Sequence, residues 1–365
     1  MRLVATNTVK SGTILGKPIY NEKGQILLNE GVELAELVIT RLLYLGIDYI
    51  YIKDKMTDDI IVNDSISEKV RKEALTTIEL TFKELYTSPK KSQTFIMEKS
   101  SKKFTNLIRD LLTELKNNPN LLNLLSDVFT YDNYIFTHSL NVTMYTLAIG
   151  LELKLPQKDL EILGLGAILH DVGKMKIPEP ILFKNGRLTE EEYEEVKKHA
   201  EAGFKMLKTV QTLPLLVAHC AYQHHERMNG SGYPRGITGN DIHLYGKIIA
   251  VADVFDAVTS NRVYRNAMLP HEGLEILYAG SDILFEPKII EAFRKSVVIY
   301  PNGLTVELND GRKGVVSAQN FGLSERPIVR ILEEKGHHVP EPYELDLKIE
   351  LSLIITNCDT TMKND

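Results

Sequence analysis

Only two cysteines, Cys220 and Cys358, occur in the 365 residues, and they lie far apart in the chain. A disulfide framework is excluded, and the count fits a reducing compartment. No apolar run approaches the length of a membrane span, and the N-terminus has no apolar signal-peptide core. No membrane insertion and a cytoplasmic location are therefore expected. Positive charge is not in excess either, since 43 Lys and Arg stand against 49 Asp and Glu, a net charge of −6. That excludes the broad positive potential needed to hold a nucleic-acid polymer. A small anionic substrate stays open, because a few local cations suffice for it. Internal repeats and low-complexity segments are also missing. What remains is an ordinary globular composition, 43% hydrophobic and 25% charged, long enough for two or three folding units.

Residues 1–56 read as a small mixed unit. "GKPIYNEKGQILLNEG" has the alternation and Gly-containing turns of a hairpin, "ELAELVITRLLYLG" has helical spacing with a glycine stop, and "IDYIYI" suits a strand. Residues 57–124 form a charged, amphipathic connecting helical region, broken at Pro89 and Pro119. Residues 125–300 are a run of helices. "LTEEEYEEVKKHAEAGFKMLK" opens with Thr189 and Glu192 in capping-box spacing, and "DIHLYGKIIAVADVFDAVTS" is apolar enough to be central. Residues 301–365 become turn-punctuated and β-like, ending in a polar tail expected to fray.

Chemistry concentrates in the helical run, which carries eight of the ten histidines: 138, 170, 199, 219, 224, 225, 243 and 271. In "HHERMNGSGYPRG", residues 224–236, two adjacent imidazoles and an acid precede a glycine-broken turn. Each neutral ring needs a donor and an acceptor partner, so a doublet is awkward in a core. It is either a helix end that happens to carry two histidines or part of a metal site completed from elsewhere. His170 and Asp171 end an apolar helix, with Gly173 and Lys174 directly after. Asp253 lies within "IIAVADVFDAV", where a lone carboxylate is costly unless paired or bound to metal. Imidazoles with a bridging carboxylate are a ligand set for hydrolytic two-metal chemistry. Cys220, close to the doublet, reads as a buried inert thiol or as a soft ligand.

"HDVGK" at 170–174, followed some fifty residues later by "HHERMNGSGYP", resembles the HD-GYP family. That family is a branch of the HD-domain metal-dependent phosphohydrolases and hydrolyses the bacterial second messenger cyclic di-GMP. The resemblance covers about residues 125–300. It implies a mainly α fold: an HD-type helical bundle carrying the metal site, with a small α/β N-terminal unit and a short β-like C-terminal appendage. The N-terminal unit resembles the accessory domain found before some such modules, which makes it the expected contact for a homo-oligomer or a signalling partner.

Carried over by position, the resemblance gives His138, His170, Asp171 and Asp253 to one metal. His199, His224 and His225 go to the second, with Asp171 bridging. Two divalent transition metals, iron or manganese, are implied. Asp171 and Lys174 become the catalytic pair, Lys174 neutralising a phosphate, with a solvated helix-end lysine as the other reading. Arg262 and Arg265 match the family's basic pair for the second phosphate. Gly232, Tyr233 and Pro234 shape the guanine-binding wall. Asn229 replaces a frequent aspartate but can still serve the turn. Tyr134 stands where three-metal members carry glutamate, which favours two metals. The implied reaction opens cyclic di-GMP to pGpG, with GMP as a further product. The alternatives are hydrolysis of cyclic GMP-AMP and a catalytically silent cyclic-dinucleotide receptor or adaptor. His219, His243, His271, His337 and His338 match no ligand position.

Overall fold

The computed structural model describes residues 1–21, 25–62, 66–117, 134–184, 186–260, 268–320 and 322–362. The fold is mainly α with small sheets. Two compact units result. The first contains residues 1–65 and 294–365, and the second residues 66–117 and 133–293. None of the described helices is long and apolar enough to cross a membrane.

In the first unit β1 (Arg2–Ala5) pairs antiparallel with β6 (Tyr49–Ile52), Leu3 opposite Tyr51. Between them β2 (Thr13–Ile14) pairs with β5 (Glu33–Leu34), and β3 (Ile19–Tyr20) with β4 (Ile26–Leu28), the expected hairpin. Helix α1 (Glu36–Tyr44) buries Ile39 and Leu42 in a core with Val4, Leu15 and Ile50. It stops at Gly46, whose φ of 71° suits a residue without Cβ.

The β-like C-terminal segment is a five-stranded antiparallel sheet in the order β10-β9-β8-β7-β11. Its strands are β7 (Thr305–Leu308), β8 (Lys313–Ala318), β9 (Ile328–Glu334), β10 (His337–Asp346) and β11 (Ile355–Asp359). The tail differs from expectation. β11 is ordered along β7, with Cys358 opposite Val306, because main-chain ladder bonds form whatever the polarity of an edge strand's side chains.

The second unit is helical. Helix α2 (Glu68–Thr87) turns Ala74, Leu75, Ile78, Phe82 and Leu85 to one face and packs on α3 (Lys90–Asn117). Phe82 meets Phe136 of α4 (Tyr134–Glu152) edge to face at 6.1 Å. Around α4 lie α5 (Gln157–Ile168) and α9 (Leu244–Thr259). Helix α9 is buried nearly all round, as its apolar sequence requires. The short α6 (Glu179–Leu182) precedes α7 (Glu190–Leu207), which starts at the expected capping box. There the Thr189 amide donates to Glu192 Oε2 at 2.7 Å, and the Glu192 amide to Thr189 Oγ1 at 3.3 Å. Helix α8 (Leu215–Gln223) packs on α5, α7 and α9, and α10 (Pro270–Ala279) on α9. The division between units falls within α11 (Pro287–Ser296), whose Phe293 packs at 4.5 Å on Phe255.

Candidate metal centre

The seven carried-over ligand positions lie in the second unit, on five stretches of helix or turn. His138 comes from α4, His170 and Asp171 from the end of α5, and His199 from α7. His224 and His225 follow α8, and Asp253 comes from α9. All are buried except His225, which is partly exposed. The α5 end reaches α7 because residue 173 is glycine. A Cβ there would sit 2.0 Å from His199 O and 2.5 Å from Gly203 N. Gly173 thus brings Asp171 beside His199.

Ring nitrogens are oriented from behind. Nδ1 of His170 donates to Ala167 O at 2.6 Å, Nδ1 of His199 to Val196 O at 2.7 Å, and Nδ1 of His224 to Cys220 O at 3.2 Å. A carbonyl oxygen only accepts, so each Nδ1 carries a proton and each Nε2 is left to face the site. His138 differs, its Nδ1 donating to Asp256 Oδ2 at 2.7 Å. Asp256 is itself held by Asn141 Nδ2 at 2.9 Å and Ser260 Oγ at 3.0 Å.

These Nε2 atoms converge on Asp171. Its Oδ2 lies 3.3 Å from His170 Nε2 and 3.5 Å from His138 Nε2. Its Oδ1 lies 3.3 Å from His199 Nε2 and 3.8 Å from His224 Nε2. Ligand atoms of His138, His170 and Asp171 fall within 4.8 Å of one another, as do those of Asp171, His199, His224 and His225. Asp253 faces both groups, with Oδ1 at 3.1 Å from His138 Nε2 and Oδ2 at 3.7 Å from His225 Nδ1.

This arrangement fits cations. His199 Nε2 and His224 Nε2 are 3.2 Å apart, two lone pairs facing each other. The buried His170 Nε2 and Asp171 Oδ1 make no hydrogen bond among the described residues. Buried acceptors gathered without donors are unfavourable unless a positive charge lies among them. Protons are a poor substitute. Burial holds His199 down at about 4, with the Lys174 charge adding to it, and pushes His224 and His225 well below the ordinary histidine range. Burial opposes ionisation of Asp171 and Asp253 too. Lys174 outweighs it at Asp171 and His138 at Asp253, and both carboxyls lie well below their usual range. At His199, His224 and His225, neutral imidazoles beside an ionised carboxylate are the protonation states a divalent transition metal needs.

The remaining expectations sort by distance. Lys174 Nζ lies 2.5 Å from Asp171 Oδ2. The Tyr233 amide donates to His225 O at 3.2 Å, and the Tyr233 ring stacks on His225 at 4.5 Å. Gly232 permits this, since a Cβ there would meet His225 O at 2.4 Å and Arg227 N at 2.5 Å. The Tyr233–Pro234 peptide is cis. Asn229 serves the turn, its Oδ1 accepting from the Ser231 amide at 3.0 Å. Arg262, Arg265 and the Tyr134 side chain lie outside the described residues. The Cys220 thiol is buried against Gly166 and pushed up to about 12, and its carbonyl, not its sulfur, serves the site. His243 caps α9, Nδ1 accepting from the Tyr245 amide at 3.1 Å. Asp256 behind His138 escaped the sequence reading, and Glu226, noted there only as an acid after the doublet, bonds to the loop amides of Arg235 and Ile237. The signals were there: Asp256 is three residues from Asp253 on one helix, and Glu226 completes "HHE".

Comparison with known proteins agrees with the geometry. A family model described as the HD domain matches residues 103–289, and one described as a KOW domain associated with the HD domain matches 305–363. A cyclic di-GMP phosphodiesterase of Pseudomonas aeruginosa is 35% identical over 241 residues, 66% of this chain and 58% of that one. Another, of Thermotoga maritima, is 35% identical over 215 residues, 59% of this chain and 57% of that one. A 3'3'-cGAMP-specific phosphodiesterase of Vibrio cholerae is 36% identical over 172 residues, 47% of this chain and 37% of that one. The chain therefore spans little more than half the length of the first two relatives. The family model takes in over half of the chain, including every residue of the histidine–aspartate cluster, and the chain belongs to the HD-domain family.

Proposed function

We propose that the chain is an HD-GYP phosphodiesterase that hydrolyses cyclic di-GMP to pGpG, and onward to GMP, in the cytoplasm. The observation that carries this reading is Asp171, whose two oxygens face separate sets of inward imidazole nitrogens beneath the loop bearing Tyr233. His138, His170, Asp171 and Asp253 would hold one cation, and His199, His224 and His225 the other, with Asp171 shared. The nitrogen-rich, carboxylate-bridged donor set suits iron or manganese better than magnesium. Two such cations, when bound, supply Lewis acidity at phosphorus and acidify water.

The chain's own residues then divide the work. Asp171 fixes the spacing of the site. Lys174, 2.5 Å from it, would offer its ammonium to a phosphoryl oxygen that gains charge. Arg262 and Arg265 are assigned to the second phosphodiester, for which forked donors are suited. Gly232, Tyr233 and Pro234 form the wall against a guanine base. Oligomer or signalling contacts are assigned to the N-terminal unit.

A second reading is favoured by the Vibrio cholerae relative, whose name specifies 3'3'-cGAMP. A silent receptor is disfavoured, because all seven ligand positions are present. Purified protein reconstituted with iron or manganese and incubated separately with cyclic di-GMP and 3'3'-cGAMP tests these readings by product chromatography. Linear pGpG from cyclic di-GMP is expected. Turnover of 3'3'-cGAMP alone would move the substrate assignment, and turnover of neither would leave only the receptor.

A further inference from the structure

After the doublet the chain makes a closed loop over 227–239. The Gly239 amide donates to Met228 O at 3.0 Å, and Asn229 bridges to Thr238. Amides of a surface loop ordinarily face water. Here two turn inward, Arg235 N donating to Glu226 Oε1 at 2.9 Å and Ile237 N to Glu226 Oε2 at 3.1 Å. The Glu226 side chain is fully buried. The Arg235 guanidinium is only in loose ion-pair range of it, at 4.0 Å, and lies over the Tyr222 ring at 4.7 Å. Opening the loop would strip a buried carboxylate of both amides, a costly outcome. Acid and loop therefore hold each other. This closure is also the one that presses Gly232 on the backbone of residues 225–227 and lays Tyr233 over His225.

We propose that Glu226 is a positioning residue, whose carboxylate pins the 227–239 loop through the Arg235 and Ile237 amides and so keeps Tyr233 stacked on His225 at the mouth of the metal centre. Its effect on turnover rests on the phosphodiesterase reading, while its effect on the loop does not. Glu226 sits behind the loop and touches no reacting atom, so it acts on how a base is received rather than on the chemical step.

Hydrogen exchange by mass spectrometry on the full chain tests this, comparing wild type with Glu226→Gln and Glu226→Ala. Peptides spanning 229–239 should exchange at least about tenfold faster in Glu226→Ala and by an intermediate factor in Glu226→Gln, which keeps one acceptor oxygen. Peptides from α5, α7 and α9 should keep wild-type protection, and metal content should be unchanged. KM for cyclic di-GMP should rise about tenfold or more while kcat stays within about threefold. Unchanged loop protection in Glu226→Ala overturns the proposal, as does an opened loop with unaltered KM. If the alanine variant fails to fold, the graded response of Glu226→Gln decides. If the wild type does not turn over cyclic di-GMP, the phosphodiesterase reading falls and the exchange result still settles whether Glu226 holds the loop.

Discussion

Lys174 is the residue whose surroundings say most about the chemistry. It is the cation beside a buried carboxylate that faces four imidazoles, so replacing it separates metal binding from substrate handling. Asp171 and the histidines remain in Lys174→Ala, and metal content should stay at the wild-type level. A charge-assisted contact to phosphate is worth about 1.5–3 kcal/mol, so kcat/KM for cyclic di-GMP should fall roughly ten- to a hundredfold, with kcat sharing the loss. Unchanged kinetics at unchanged metal content would remove Lys174 from the mechanism. At this level four of the clustered residues were readable, since "HDVGK" and "HHERMNGSGYP" carry His170, Asp171, His224 and His225 in order. Their orientation was not. That His138 leans on the Asp256 carboxylate while His170, His199 and His224 use carbonyls a turn back depends on distances that no spacing states.

Between elements the decisive contact is the turn after α5 against α7. Gly173→Ala places a Cβ against His199 O and Gly203 N, main-chain atoms of a helix that cannot step aside cheaply. Destabilisation of about 1–3 kcal/mol is expected, together with reduced metal content, because the turn carries Asp171 and the helix carries His199. At Gly203 an added Cβ would meet Ala221 Cβ at 3.2 Å and Gly173 N at 3.4 Å, so Gly203→Ala should do less. Thermal unfolding and elemental analysis of the pair check this, and equal effects would refute it. Capping box, hairpin and central helix were legible because each is written in local chemistry. The ordered β11 was not, because its stabilising bonds run from the main chain to a strand some fifty residues earlier.

For the whole molecule, the buried histidines set a pH dependence. His199 titrates at about 4 in the folded state against an ordinary 6.5, and His224 and His225 shift the same way. Between those values the unfolded chain binds more protons than the folded one, so stability rises with pH there and is lost as pH falls from about 6.5 towards 4. Asp171 and Asp253 do not offset this, since their depressed carboxyls contribute stability that is present above the usual 3.8 and lost only below it. Chelator-treated protein should therefore lose at least about 5 °C in Tm between pH 7 and pH 5. A flat or opposite trend in calorimetry would mean that the rings are not held neutral by burial.

The central claim is a dinuclear centre shared through Asp171, and metal content is its most direct measure. Elemental analysis of protein purified without oxygen or chelator, or reconstituted with iron or manganese, should give two metals per chain. Asp171→Ala should lower that content sharply, whereas His243→Ala, which alters a helix cap, should retain it. Three tightly held metals in the wild type, fewer than one after reconstitution, or equal losses in both variants would contradict the account.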